Sequence, residues 1–395
     1  MQKISPNIWA LGWVSFFTDL ATAMIKPLIP IYVVLVLNQG MDKLGYVLAI
    51  TAFVSYVFRW GSGYLSDKYQ VTKPLLLVGY GLSAIMKPMF AYTASWGGVA
   101  VISATERLGK AIRSAPKDVL ISASAQSNNQ GKAFGIHKTL DIAGETLGGI
   151  IAFLLLSWLG QSPEFIRTIF ELTIIPGVIG VLILWFFVTD VVKKQNSAAM
   201  NQNKTSQNNR LFSFEPSLWP WFIVYFVAVF FMMSDAFMVV RGSEIGIETH
   251  WLPLLMVTSA LTQTLISYQV GQRLDAQGAQ FLLKVGLWAG VFSILLLLFQ
   301  NTMAIILAFV LQGVFVVSTL NAMRARIGQS SQGKGNAYGV FYFGVALASA
   351  LGSLVVGHLW EYMSAYGALV FSGVGLTLLL FTVSLLKRGL PSPQN

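Results

Sequence analysis

Titratable side chains recur at helical spacing in a sequence that is otherwise poor in charge. Glu106, Lys110, Arg113 and Lys117 follow an i, i+4, i+7, i+11 pattern, which sets the last three within about 40° of Glu106 around a helix; Arg107 lies about 100° away. His137, Asp141 and Glu145 step by four and form a second stripe. Asp19 and Lys26 are seven apart, two turns along one face. Carboxylates and an imidazole in such rows can carry protons. A row of cations can hold an anion, with arginine able to pair bidentately.

Other chemistries lack their residues. The chain has no cysteine, so disulfides, thiolate metal sites and cysteine nucleophiles are excluded. Its three histidines (His137, His250, His358) are far apart and give no metal-ligand spacing. No G-x-S-x-G, P-loop or dinucleotide fingerprint occurs. No catalytic residues, metal, cofactor or enzymatic activity are therefore expected.

The elements that position the charges follow from composition. Of 395 residues, 55% are hydrophobic and 11% charged, with mean hydropathy +0.66, whereas soluble domains carry roughly a quarter charged residues. A helical span needs roughly 20 apolar residues, so twelve spans use about 240. Hydropathy and turn residues place them near 8–37, 44–64, 74–93, 97–116, 133–158, 166–189, 219–240, 251–270, 281–300, 302–322, 337–360 and 364–386. Pro27 and Pro30 bend the first, and Pro88 kinks the third. The first apolar stretch lacks a cleavage site after a short core, so it reads as a span and not as a leader. Asp19 then lies about 16 Å deep, and Glu145 about 18 Å from the terminal side. The polar stretch after residue 189 divides the chain into bundles 1–189 and 219–395, joined by a linker, 190–218.

Orientation follows from the 26 lysines and arginines. Eighteen fall on the side of the termini, three (Lys43, Arg167, Arg241) on the other, and five (Lys26, Arg59, Lys87, Arg107, Lys110) within spans. This bias puts both termini in the cytoplasm. It also accounts for the net charge of +10 without nucleic acid.

The halves repeat. Gly63-Tyr64-Leu65-Ser66-Asp67 after span 2 matches Gly271-Gln272-Arg273-Leu274-Asp275 after span 8, 208 residues later. Gly131-Lys132-Ala133-Phe134-Gly135 matches Gly335-Asn336-Ala337-Tyr338-Gly339 at an offset of 204, which also pairs Gly148 with Gly352. At that offset the His137/Asp141/Glu145 stripe is answered by Phe341, Val345 and Ser349. A competing reading has the charges merely pairing to hold helices together; a scaffold role would more naturally recur in both repeats.

Paired six-helix halves are the pattern of the major facilitator superfamily, which the chain resembles over its whole length. The Gly63–Lys73 segment is similar to the family's G-x-L-x-D-R-x-G-R-[KR] loop, with Lys68 for the arginine, Gln70 for the second glycine and Lys73 as the remaining basic residue. Asp141–Gly149 resembles the G-P-x-x-G-G segment of proton-coupled exporters, with Glu145 in place of the proline. Phe17-Thr18-Asp19, Pro27-Leu28-Ile29-Pro30 and Glu106–Asp118 resemble a bacterial branch that releases siderophores.

The resemblance implies an all-α membrane protein of twelve helices in two pseudo-symmetric bundles. It implies secondary transport by alternating access in a bacterial inner membrane, with export of a polar charged metabolite such as a siderophore in exchange for protons. Two alternatives stay open: proton-coupled import of an iron chelate or organic anion, and multidrug efflux. Expected proton carriers are Asp19, Glu145, Asp141, His137 and Glu106. Expected substrate contacts are Lys26, Arg107, Lys110 and Arg113, with Tyr225, Gln263, Gln312 and Tyr342 from the second half. Asp67, Lys68, Lys73 and Asp275 are expected to gate at the cytoplasmic turns, and Asp235 with Arg241 at the outer end. The expected partners are a small anionic or zwitterionic molecule, protons and lipid, with the chain acting as a monomer.

Overall fold

A computed structural model describes residues 5–69, 72–125, 129–190, 215–330 and 334–385. Within these the regular structure is helical, as the near-continuous apolar runs require: in hydrocarbon a backbone must satisfy its own hydrogen bonds. The helices are α1 (Pro6–Val36), α2 (Met41–Tyr69), α3 (Lys73–Met89), α4 (Trp96–Ser124), α5 (Gln130–Leu159), α6 (Pro163–Phe187) and α7 (Pro216–Glu244). A single helical run, Leu252–Leu297, breaks at Gly278, where φ is +81°, a conformation glycine adopts without strain. Its halves are α8 (252–277) and α9 (279–297). Both lie along α10 (Thr302–Gly328): Gly313 meets Ser259, and Gly286 meets Thr319, so the chain doubles back at Gly278. The last two helices are α11 (Lys334–Met363) and α12 (Ala365–Leu385).

Nine helical stretches among the described residues are apolar and long enough to span a membrane. One is the doubled α8–α9 run; α2 and α4 are long enough but more polar. Together these make the twelve expected spans. Large apolar side chains such as Val101, Trp185, Phe186 and Leu378 lie exposed on the outer surface, where lipid replaces water.

Several helices overrun the expected bounds, α2 to Tyr69 and α10 to Gly328 among them, and three departures bear on the cavity. Pro116 does not end span 4; α4 runs on to Ser124, and the polar segment after it is helical. Span 1 is broken: the α-helix ends at Ile25, restarts over Leu28–Ile31 and becomes a π-helix over Tyr32–Val36. Span 7 is broken as well, ending at Phe231 and restarting at Asp235 behind the Ser234 cap. The breaks stand at corresponding places in the two halves.

The repeat is visible in the packing. A Cβ on Gly148 of α5 would collide with the Leu20 carbonyl oxygen of α1, and one on Gly352 of α11 with the Phe230 carbonyl oxygen of α7. Each glycine lets its helix press backbone to backbone on the first helix of its own bundle, as small residues do in membranes.

Asn7 Nδ2 donates to Ser124 Oγ (2.8 Å) and to the Thr189 carbonyl (3.1 Å), which fixes the starts and ends of α1, α4 and α6 at one face, called here the terminal face. The bundles meet toward the opposite face. There Gly45 of α2 abuts Ser353 and Gly357 of α11, the Met41 amide donates to Glu361 Oε2 (2.7 Å), and Tyr46 hydroxyl and His358 Nε2 lie 3.3 Å apart. On the other flank Phe153 of α5 packs on Trp251 with ring centroids 4.9 Å apart.

Candidate solute-binding cavity

Below these contacts a cavity lies between the bundles, in two chambers that share Thr22, Lys26 and Arg107. The first, about 320 Å³, is lined from both bundles by Ile25, Ile29, Val47, Leu48, Phe90 and Met256, with Ser103, Glu106, Asp235, Ser349 and Ser353. The second, about 350 Å³, is lined by the first bundle alone: Ser15, Asp19, Tyr80, Lys110, Arg113, Ser114, Lys117, Lys138, Asp141 and Glu145.

The broken helices place the charges where the chambers join. Lys26 stands at the end of the first segment of α1, and Asp235 opens the second segment of α7, where the helix dipole favours a carboxylate. Their side chains meet across the bundles, Lys26 Nζ to Asp235 Oδ2 at 3.2 Å. The pair expected between Asp235 and Arg241 therefore does not form. Arg241 is buried, donates to the Leu297 carbonyl (3.1 Å) and pairs with Glu244 (3.1 Å), because the helix turns its side chain to its own bundle.

In the wall of the first chamber Glu106 is largely buried, accepting from Ser83 Oγ at 3.0 Å with Arg107 Nε at 3.6 Å. Lys87, fully buried on α3, donates Nζ to the Thr18 carbonyl at 3.1 Å. In the charged chamber Ser15 Oγ bonds both Tyr80 hydroxyl (3.1 Å) and His137 Nε2 (2.9 Å). His137 Nδ1 stands 3.5 Å from Asp141 Oδ1. Arg113, 5% exposed, stacks its guanidinium over the Tyr80 ring at 4.2 Å, and its Nη1 has no hydrogen-bond partner.

The α4 stripe thus divides. Lys110, Arg113 and Lys117 line the charged chamber, Glu106 lines the other, and Arg107, placed off the stripe by the sequence, is shared by both. The four expected contacts from the second half are not in the lining. Tyr225 packs on Phe341 (centroids 5.0 Å), and Tyr342 stacks on Tyr338 (6.2 Å). Gln263 Nε2 donates to Ser259 Oγ (3.4 Å) in its own helix, and Gln312 is buried in α10. Lys73 donates Nζ to the Trp185 carbonyl (2.8 Å), tying α3 to α6. Asp275 lies at the α8–α9 turn. The side chains of Asp67 and Lys68 lie outside the described residues.

Ser15, Tyr80 and Lys138 join the lining without having been marked by sequence pattern. Ser15 carries a usable signal, one turn before Asp19 on the same face; Tyr80 carries none, because only the packing of α3 on α1 brings it in.

The family model described as Major Facilitator Superfamily matches residues 11–352. The chain belongs to this superfamily. An uncharacterised MFS-type transporter of Methanocaldococcus jannaschii is 28% identical over 96% of this chain and 95% of its own length. The multidrug resistance protein MdtG of Dickeya zeae is 25% identical over 51% of this chain and 50% of its own. Among solved structures, a variant of the nucleoside transporter NupG superposes with TM-score 0.79 at 14% identity, covering 95% of this chain and 98% of that one. A bacterial homologue of the lysosomal transporter Spinster, inward-facing and occupied, gives 0.75 at 14%, covering 98% of each. The superfamily chain is thus a multi-pass membrane transporter of small molecules and not an enzyme.

Proposed function

We propose that this transporter exports a polar organic anion in exchange for protons by alternating access. The observation that carries the reading is the charged chamber. Six cations (Lys26, Arg107, Lys110, Arg113, Lys117 and Lys138) share its lining with three carboxylates, Asp19, Asp141 and Glu145. Charge within a membrane costs roughly 2.5–3.5 kcal/mol per residue, so such groups line water and do work there. The cations would hold the solute and the carboxylates would exchange protons, with His137 behind them and Glu106 in the adjoining chamber. A carboxylate- or hydroxamate-bearing siderophore satisfies this chemistry.

The basic bias of the terminal side supports a cytoplasmic location for both termini in an inner membrane. Bundle contacts on the far side then correspond to an inward-open state, with the bundles 1–189 and 219–395 moving as units; most of the linker, 190–218, lies outside the described residues. Lys26 and Asp235 would part when the far side opens. In place of Arg241, Lys26 is the partner that makes Asp235 a gate residue, with Lys73, Asp67, Lys68 and Asp275 acting at the terminal face.

Multidrug export is the second reading, favoured by the half-length likeness to MdtG and by the apolar wall of the first chamber. Two experiments test the proposal. In proteoliposomes of one orientation, an imposed proton gradient is expected to drive anion movement against it; transport indifferent to the gradient overturns the coupling. Metabolite profiling of medium and cells from deletion and complemented strains, grown iron-limited, is expected to find an anion lost from the medium and retained in cells. An anion still secreted but no longer retrieved would make the protein an importer.

A further inference from the structure

Alongside their shared Thr22, Lys26 and Arg107, the two chambers differ sharply in character. One has an apolar wall of Ile25, Ile29, Val47, Leu48, Phe90 and Met256, faced by serines, threonines and the carboxylates of Glu106 and Asp235. The other is walled by charges from a single bundle. Each reaches the lower end of the volume range of small-molecule pockets, about 300 Å³. A small inorganic ion would leave the apolar wall of the first chamber wet, and a uniformly greasy molecule would leave the cations without a counter-charge. Both ends of the cavity are satisfied at once only by a molecule with two unlike ends.

The charged end has a defined anchor. Arg113 is 5% exposed, its guanidinium is held flat over the Tyr80 ring, and Nη1 has no partner. Nη1 is closed off, so a solute meets the guanidinium where Arg113 lines the chamber, and there an anionic oxygen is the acceptor that pairs best. Lys110 and Lys117 line the same chamber beside it, and they share the field of Asp19. Asp19, Asp141 and Glu145 line the same chamber and would repel an anion if all were ionised. The net lining charge is still positive.

We propose that the transporter binds one amphipathic organic anion across both chambers, its anionic head on Arg113 and its apolar body beyond Lys26 and Arg107. This rests on the anion reading above and adds the second end. The body would lie against Ile29 and Leu48, close to the Lys26–Asp235 pair, so that bundle separation is sensed by the tail and not by the head.

The test uses the full-length protein in lipid nanodiscs, with binding followed by calorimetry for phenyl phosphate, phenylsuccinate, inorganic phosphate, benzyl alcohol and benzylamine. Phenyl phosphate or phenylsuccinate is expected to bind at least about tenfold more tightly than inorganic phosphate, because the ring buries apolar surface. Whichever of the two binds better names the head as phosphate-like or as dicarboxylate. Arg113→Ala is expected to weaken both by about tenfold or more, with partial recovery in Arg113→Lys. Ile29→Ser is expected to weaken phenyl phosphate and leave inorganic phosphate unchanged. Inorganic phosphate binding as tightly as phenyl phosphate overturns the two-ended substrate while leaving the anion reading intact. Benzyl alcohol or benzylamine binding as tightly as the anions overturns both. The wild-type ranking decides these outcomes even if an Arg113 variant fails to fold.

Discussion

Helices α5 and α11 occupy equivalent places in the two bundles and do different things with them. Each presses a glycine, Gly148 or Gly352, against a carbonyl of its bundle's first helix. One turn and more toward the terminal face they diverge. His137, Asp141 and Glu145 on α5 correspond to Phe341, Val345 and Ser349 on α11. His137 joins Ser15, Tyr80 and Asp141 beside the charged chamber. Phe341 is buried in a cluster with Phe222, Tyr225 and Phe226. The architecture was duplicated and the chemistry was not: backbone contact needs only small residues, whereas a titratable group in a membrane needs water, a partner charge or a backbone carbonyl around it.

The largest effect expected from breaking this asymmetry is on transport. Asp19→Asn or Glu145→Gln should reduce gradient-driven movement to background while exchange without a gradient persists; normal driven transport in both variants would remove the proton role from the first bundle. Moving the chemistry across the repeat comes next. Val345→Asp should destabilise the second bundle by about 2–3 kcal/mol, whereas Asp141→Val should not lower the melting temperature yet should impair driven transport. A Val345→Asp variant as stable as the parent would mean that position 345 faces water as Asp141 does.

Packing effects fall on stability alone and are symmetric. Gly148→Leu and Gly352→Leu should each cost about 3 kcal/mol, because even the first carbon added would sit on a backbone carbonyl. At the other repeat pair, Gly135 and Gly339, a side-chain methyl would meet no atom within 4 Å, so alanine at either should be neutral or stabilise by up to about 1 kcal/mol. Unequal melting shifts within either pair would show that the repeat is not structural. The smallest effect belongs to Tyr342→Phe, which should leave transport within about twofold in the same vesicles; a larger loss would return the second half's aromatic residues to the binding surface.

Much of this is legible in the chain itself. Twelve spans, the six-and-six division, the glycine pairs and the concentration of charge in the first half are local or periodic properties, and hydrocarbon leaves a helix no alternative. That Lys26 and Asp19 share one face follows from helical period alone. What the sequence leaves undecided involves directions between helices. Nearness in the chain points Asp235 toward Arg241, but Asp235 caps a broken helix that faces the other bundle, and Lys26 stands at the matching break. Tyr225, Gln263, Gln312 and Tyr342 have the chemistry of ligand contacts and stand outside the lining of both chambers. Tyr80 and Ser15 meet at the cavity only because α3 packs on α1. Helical period fixes which residues share a face; the rotation of each helix in its bundle fixes what that face meets, and that depends on all the neighbouring helices together.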